Sequence, residues 1–396
     1  MVPEGWFKTI LGSVVEAGFR NGYSPNPPEV PTDRTVLSLS ALTGNGFNKT
    51  AVKPAPNNEL VLRTELKQGD FLISRANTRE RVGFSAVFPG EVPRCSYPDL
   101  MMRFRPNQRK ITPNYLEQAL RSRITLNYLQ SAASGTSASM VKLTSKTVAK
   151  APILLPPLPE QQKIAEILST WDRAIEVSEA LLATAQTQKR ALMQSLLTGK
   201  RRFPEFEGQP WKEVRLGDVA QISMGSSPKS SAYNQDGIGL PLIQGNADIK
   251  NGWSAPRSFT SETTTICKPN DILLSVRAPV GTIAISGHHA CVGRGAAVIT
   301  PKAGYSWSWL KHVMIDLNPK WVRVSQGSTF DAVNSKDIKS FKIMAPSSLK
   351  EQDRIGEAME VTEWEINSLT DQISKLRTEK KALTQQLLTG KRRVVV

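Results

Sequence analysis

Two long stretches of the sequence carry the same seven-residue hydrophobic pattern, and this feature restricts the fold more than any other. In the first stretch the pattern runs from Ile164 to Leu196 in alternating steps of four and three residues, and in the second it runs from Ile355 to Leu387. Eight of the ten seam positions are apolar in each stretch. This spacing is typical of helices that pack along a narrow seam. The pattern therefore predicts two long helices that form a coiled coil.

The two stretches are also copies of one another. At an offset of 191 residues, 160–202 and 351–393 are identical at 17 of 43 positions without a gap, and both copies end in LLTGKRR. Lys189 and Lys380 occupy the same seam position in the two copies. A polar residue there either fixes the register of the helices or is a lysine that extends out of the seam to water.

The ends of both predicted helices carry recognisable signals. Pro159 suits the first turn of the first helix, and Ser348 with Glu351 forms a capping box at the start of the second. Gly199 and Gly390 lie where a left-handed residue would end each helix, and the cations that follow complement the negative helix end. A second interpretation, compatible with the first, is that these cations contact DNA phosphate or a partner protein. In the first copy they are Lys200, Arg201 and Arg202.

The segment that precedes each predicted helix is also repeated, but with weaker similarity. GWFKTILGSVVEAG (5–18) overlays PWKEVRLGDVAQIS (210–223), GDFLIS (69–74) resembles NDILLS (270–275), and SGTSASM (134–140) resembles QGSTFDAV (326–333). Short β-branched runs alternate there with Gly, Pro, Asn and Ser, and helical patterns are confined to 113–130 and 305–317. We predict an α+β fold with two pseudo-repeated α/β domains, separated by two long helices that form a coiled coil. The predicted limits are 1–155 and 204–346 for the domains, and 156–203 and 347–396 for the helices.

Charge and cysteine content restrict the partners and the compartment. The chain has 51 Lys and Arg against 35 Asp and Glu, a formal net charge of +16 that falls mainly on the two globular segments. A protein this basic usually binds a polyanion, most often nucleic acid. The three cysteines are scattered, the first residues lack the layout of a signal peptide, and no apolar run approaches the roughly 20 residues that span a bilayer. We expect a cytoplasmic protein with no membrane partner.

Several motifs together resemble one protein family, the specificity subunits of Type I restriction-modification systems. The motifs are LPPLPEQQKIAEIL with LLTGKRRFPEF, GDFLISRANTRERVG in the first globule, and NDILLSVRAPVGTIAIS followed by QGSTFDAVNSKDIKSFKIMAP in the second. The resemblance implies two target-recognition domains that each read half of a bipartite DNA site. It also implies two helices that pack antiparallel as a spacer and dock the modification subunits.

The resemblance further implies the set of partners. These are double-stranded DNA, two methyltransferase subunits and, in some complexes, restriction or translocase subunits, with no cofactor held by this chain. The first globule has SRANTRERVG where the second has SVRAPVG, so the two domains are expected to read different half-sites. The repeat itself permits two arrangements: a two-fold axis would make the helices antiparallel, whereas a translation would make them parallel.

The sequence offers little support for catalysis by this chain. NPPE (26–29) lacks the aromatic ring that adenine methyltransferases stack on a flipped base, and GNGFNKT (44–50) has Asn48 where a phosphate loop requires glycine. Cys267, His288, His289 and Cys291 lack the paired Cys-x-x-Cys spacing of a zinc site, which favours core or loop roles. We expect no metal and a non-catalytic subunit. The alternative is a stand-alone coiled-coil protein that binds DNA or dimerises without modification partners, and an enzyme acting alone ranks third.

The polar loops supply the candidate DNA-reading residues. Arg75, Asn77, Arg79 and Arg81 alternate in the sequence and would project from one face of an extended strand or ribbon. Arginine pairs bidentately with guanine, and asparagine with adenine. The competing interpretation is a solvated, charged edge strand. The remaining candidates are Lys49, Thr136, Arg277, Arg294, Gln326, Ser328 and Thr329.

Overall fold

The computed structural model describes residues 3–137, 140–318, 320–321 and 332–395. The chain divides into two compact units. Unit 1 comprises residues 1–178 and 372–396, and unit 2 comprises 179–371. Each unit therefore contains one globule and a segment of each long helix. The domain limits proposed from the sequence remain predictions.

The globule of unit 1 is built on a four-stranded antiparallel sheet in the order Arg20–Asn21, Met101–Phe104, Phe71–Ser74, Ser85–Val87. The strand Phe71–Ser74 comes from the repeated GDFLIS motif and is buried along its whole length. The other strands are Phe7–Ile10, Thr35–Leu37, Leu42–Thr43, Gly46–Phe47, Val52–Pro54, Ala76–Asn77, Cys95–Ser96, Ser134–Ser137, Met140–Lys142 and Pro152–Leu155. The α-helices are Glu59–Arg63, Pro113–Arg121, Arg123–Ala132 and Ser145–Ala149.

The globule of unit 2 contains a six-stranded and a five-stranded sheet. The first has the order Ala220–Met224, Ala296–Pro301, Ile272–Ser275, Ile283–Ile285, Trp253–Ser254, Ile249–Lys250. The second has the order Tyr233–Asn234, Ser258–Thr260, Leu240–Ile243, Ala290–Val292, Thr265–Cys267. Trp211–Arg215 pairs with Lys342–Pro346, as Phe7–Ile10 pairs with Pro152–Leu155 in unit 1. The α-helices of this globule are Leu216–Val219, Trp307–Asp316 and Ser335–Ser340.

The helical pattern at 113–130 forms two helices instead of one. Ser122 interrupts it with extended backbone, ends the helix Pro113–Arg121, and accepts a hydrogen bond from the Thr125 amide at the start of Arg123–Ala132. Serine competes well for such a capping position because its short hydroxyl satisfies an amide that the helix leaves free. The second predicted pattern, 305–317, forms the helix Trp307–Asp316.

The two long helices follow the predicted seam. The first helix spans Leu158–Leu196 and the second spans Leu349–Leu388. Every seam position in both helices is buried or half-buried, whereas most of the intervening positions are exposed. The seven-residue pattern therefore does bury one stripe of each helix.

The helix segments run antiparallel within each unit. In unit 1, Glu160 at the start of the first helix binds Arg393, which follows the second helix, and Asp172 pairs with Lys380. In unit 2 the order is the same, because Arg202 binds Glu351 and Lys189 pairs with Glu363 at 2.7 Å. Lys189 and Lys380 thus form equivalent ion pairs, which supports the interpretation that they fix the register.

Each helix ends as the repeated glycine predicts. Gly199 and Gly390 have φ values of 70° and 68°, in the left-handed region that glycine occupies without strain. After Gly199 the chain turns so that the Arg202 guanidinium reaches the buried Glu351 carboxylate, with N···O distances of 2.8 and 2.6 Å. The Trp211 indole N–H donates to the same carboxylate at 3.1 Å. We call this arginine, glutamate and tryptophan set the helix-end lock of unit 2.

Unit 1 contains the same lock. Arg393 binds Glu160 at 2.6 Å through Nε, and the Trp6 indole donates to Glu160 at 2.7 Å. A buried glutamine beside each glutamate fastens the helix start to its globule. Gln161 accepts from the Thr112 amide at 2.8 Å, and Gln352 accepts from the Ser306 amide at 2.8 Å. The repeated Glu-Gln pair therefore makes equivalent contacts in the two units.

Among the described residues, no helix combines the length and the apolar character that a membrane span requires.

Candidate nucleic-acid interface

The 75–81 segment of unit 1 is not the extended ribbon that the sequence predicted. It is extended only at Ala76–Asn77, which pairs with the strand Met140–Lys142. The chain then turns, since the amides of Arg81 and Val82 both donate to the Thr78 carbonyl. The turn buries the Val82 side chain completely. In this turn Arg79, Glu80 and Arg81 are all exposed instead of alternating between two faces, so the expected ribbon does not extend beyond Asn77.

The four candidate side chains of this segment fall into two pairs. Arg75 and Asn77 are half-buried and contact protein, since Arg75 donates to the Asp99 carbonyl and the Asn77 amide donates to Ser74, both at 3.3 Å. Arg79 and Arg81 are exposed in the turn, and Arg79 donates to the Gln130 carbonyl at 3.1 Å. Arg79 and Arg81 therefore remain the more accessible candidates for DNA contact.

Two further candidates lie elsewhere in unit 1. Lys49 is exposed and forms a 2.8 Å ion pair with Glu91, whose hydrogen bond raises the pKa of the lysine. A phosphate would have to compete with this carboxylate. Thr136 lies in the strand Ser134–Ser137, of which the structure describes only the backbone at this position.

Unit 2 brings two of the predicted arginines into one cleft of about 490 Å³. Arg277 follows the buried strand Ile272–Ser275, and Arg294 precedes the strand Ala296–Pro301. Both are exposed, and neither has a carboxylate partner among the described residues. Neighbouring strand ends thus converge on a positively charged concave surface. Gln326, Ser328 and Thr329 lie outside the described residues.

Sequence reasoning missed a third arginine of this cleft. Arg257 lines it together with Gln244 and Asn246. The Arg257 Nε donates to Asp248 Oδ1 at 2.9 Å, and the aspartate is buried whereas the arginine is exposed. Nothing in the spacing of Asp248 and Arg257 indicates this contact. The run of glutamine, glycine and asparagine at 244–246 could have drawn attention to the loop.

The three cations after Gly199 have different environments. Arg202 is occupied by the helix-end lock, and the cation lies 6.0 Å from the centre of the Trp211 ring. Lys200 and Arg201 are exposed. The capping role therefore accounts for Arg202, and the predicted phosphate contact applies most directly to Lys200 and Arg201.

The cysteines and histidines considered for zinc have other contacts. Cys267 and Cys291 are buried free thiols. Cys267 lies 3.3 Å from the Ser286 hydroxyl, and the His288 ring hydrogen-bonds Ser254 at 2.7 Å. Burial raises the pKa of the Cys267 thiol, which disfavours the thiolate that a metal requires. Among the described residues no group of three or more His, Cys, Asp or Glu is placed to hold a metal ion.

Both halves of the chain match a known family. The chain matches the family described as Type I restriction modification DNA specificity domain twice, over residues 3–186 and 208–377. The chain therefore belongs to this family, as the motifs predicted.

Particular relatives extend the match to nearly the whole chain. The chain is 30% identical, over 99% of its length, to the MjaX type I restriction enzyme specificity subunit of Methanocaldococcus jannaschii, of which it covers 95%. It is 27% identical to the HsdS subunit from Thermoanaerobacter tengcongensis, with a TM-score of 0.51 and 98% of both chains covered. A chain from a structural study of assembly and conformational transition in the type I R-M system is 26% identical, with a TM-score of 0.62 and 98% coverage of both chains. These similarities confirm the predicted fold class.

Proposed function

We propose that this protein is the non-catalytic DNA-specificity subunit of a Type I restriction-modification complex. The observation that carries the proposal is the double family match, in which each half of the chain supplies one globule and one long helix. Each globule would read one half of a bipartite DNA site. Because the loops after the repeated strands differ, SRANTRERVG in one and SVRAPVG in the other, the two half-sites would differ in sequence.

The same proposal includes the partners. Double-stranded DNA would bind the basic globules, and two methyltransferase subunits would dock on the long helices. Support for two docking sites comes from the repetition of the helices and of their locks, which offers similar surfaces twice. Restriction or translocase subunits would join the complex where the cell supplies them. We place the protein in the cytoplasm, where its DNA and partners would be found.

The test is to co-express the chain with a methyltransferase subunit from the same source in cells that lack other adenine methylation. Methylome sequencing should show one bipartite motif with an unspecified gap, and the two proteins should co-purify. Cells with either protein alone are the controls and should show no motif. Binding to DNA without co-purification or methylation would instead favour the stand-alone coiled-coil protein, and methylation by the chain alone would favour an enzyme.

A further inference from the structure

From the cleft of unit 2 we infer that Arg257 reads a guanine in the half-site bound by this unit, with Asp248 as its positioning residue. The inference rests on the proposed function and assigns a specificity role to two residues within it. It begins from a pairing in which an exposed arginine is held by a buried carboxylate. The side chain of Arg257 is 69% exposed and that of Asp248 is 3% exposed.

The Asp248 carboxylate is fixed by contacts on both oxygens. Oδ1 accepts from Arg257 Nε at 2.9 Å, and Oδ2 accepts from the backbone N–H of Gln244 at 2.8 Å. The backbone of Asp248 is fixed as well, because its amide donates to the Gly245 carbonyl and its carbonyl accepts from the Ala255 amide. The arginine is therefore anchored to a rigid support and not to a second mobile side chain.

Because Arg257 binds Asp248 through Nε, the N–H donors on its two terminal nitrogens remain available. A guanidinium has five N–H donors in one plane, and the two terminal nitrogens carry four of them. With Nε engaged, these terminal donors are available at the exposed end of Arg257, in the cleft that Arg277 and Arg294 also line. Guanine presents two acceptors, O6 and N7, side by side in the major groove, and two parallel arginine donors match them.

The buried carboxylate favours a base contact over a phosphate contact. Asp248 offsets the positive charge of Arg257, which weakens the general attraction to phosphate that a free cation would have. It also restricts the orientation of the guanidinium, which matters for reading a base edge more than for contacting a phosphate. Arg277 and Arg294, which have no such carboxylate among the described residues, suit the phosphate role better.

The decisive variants are Arg257→Lys and Arg257→Ala in the complete complex with its methyltransferase. Lysine keeps a cation beside the buried Asp248 carboxylate but lacks two parallel donors, so Arg257→Lys is the variant that we expect to fold and on which the inference depends. Arg257→Ala also leaves that carboxylate without its charged partner. One guanine position in one half-site should become degenerate, with discrimination reduced about 5- to 150-fold, as expected for the loss of a bidentate contact worth about 1–3 kcal/mol. The other half-site should be unchanged.

Two controls separate this role from a general loss of charge or structure. Lys342→Ala removes an exposed cation of unit 2 that does not line the cleft, and it should leave the motif intact. Arg105→Lys alters an arginine whose Nε is likewise held by a buried aspartate, Asp70, at 2.6 Å in unit 1. Asp70 precedes the strand Phe71–Ser74, whereas the DNA-reading candidates at 75–81 follow that strand, so Arg105→Lys should also leave the motif intact.

The positioning role of Asp248 has its own readout. Asp248→Asn removes the negative charge and weakens the hold on Nε, so the same guanine position should relax while affinity for non-specific DNA increases. A merely structural role would lower activity at both half-sites without changing the base preference at that position.

The outcomes separate this inference from the proposed function. If the wild-type complex yields no bipartite motif, the proposed function fails. If it yields one, the Arg257 inference is overturned by an intact motif in Arg257→Lys, by uniformly weaker binding with a salt dependence reduced by about one phosphate contact in Arg257→Ala, or by wild-type half-sites that both lack a G·C pair.

Discussion

One buried position is filled by different residues in the two units. In unit 1, Gln118 donates to Asp172 at 3.3 Å. The matching position in unit 2 is His312, which is fully buried and lies 4.0 Å from the Glu363 carboxylate. Among the described residues neither ring nitrogen of His312 has a hydrogen-bond partner. Burial lowers the pKa of His312 to about 4, opposed by Glu363. Burial would raise the pKa of Glu363, but hydrogen bonds from Lys189 and Lys311 hold it at about 2.

These pKa values predict a loss of stability in mildly acidic solution. The unfolded chain protonates His312 below about pH 6.5, whereas the folded chain keeps the ring neutral until about pH 4. Acid therefore favours the unfolded state, and the shift corresponds to about 2 kcal/mol lost between pH 7.5 and pH 5. The depressed pKa of Glu363 acts in a lower window, where stability falls as pH drops from about 4.5 towards 2.

The test is His312→Gln, which gives unit 2 the glutamine that unit 1 has at this position, Gln118. Urea unfolding of both proteins at pH 7.5 and pH 5 should show that the variant loses about 2 kcal/mol less than the wild type over this interval. An equal loss in both proteins would show that His312 is not the group responsible.

The helix-end lock predicts which cation of the LLTGKRR repeat matters for stability. Arg202→Ala would leave the Glu351 carboxylate buried without its charged partner, which we expect to cost about 3 kcal/mol in the free energy of unfolding. Lys200→Ala, at an exposed position two residues earlier, should cost less than about 0.5 kcal/mol. Chemical denaturation of the two variants measures the difference.

The same pair of variants tests the phosphate interpretation. If the exposed cations contact DNA, Lys200→Ala should weaken DNA binding while leaving stability unchanged. Similar stability losses in both variants would contradict the lock, because of these two cations it is Arg202 that contacts the buried Glu351.

The sequence could predict those features that depend on residues close together along the chain. The seam and the helix ends depend on residues three, four or seven apart, so the pattern from Ile164 to Leu196 identified them. The Arg257 and Asp248 contact depends on how a loop folds back, and no local spacing records that. The ribbon expected at 75–81 failed for a related reason, because the backbone turns at Thr78 and the alternating positions of the sequence do not record this turn.

At the scale of the whole molecule, the net charge of +16 predicts a strong dependence of DNA binding on salt. If roughly 6–10 phosphates are neutralised, the logarithm of the binding constant should fall with the logarithm of salt concentration with a slope of about −5 to −9. Titration of a labelled duplex over a range of salt concentrations measures this slope. A slope near zero would rule out an electrostatic contribution of this size.

The long helices predict how the gap in the DNA site is set. Inserting one heptad after Ala180 and one after the equivalent Asp371 keeps the seam in phase and adds roughly 10 Å of helix. We expect the unspecified gap in the methylated motif to grow by up to about three base pairs while both half-sites stay the same. Methylome sequencing reads the gap directly, and an unchanged gap in an active complex would refute this role of the helices.

The division of the chain between the units sets an order of events during synthesis. Unit 2 is one continuous stretch, 179–371, so all of its residues are synthesised before the last helix, which ends at Leu388, is complete. Unit 1 is divided, and Glu160 is synthesised 233 residues before Arg393, the arginine with which it pairs. Domains generally fold as units while the chain emerges. We therefore expect the globule that is translated first to finish folding last, and the lock of unit 2 to form before Arg393 completes the lock of unit 1.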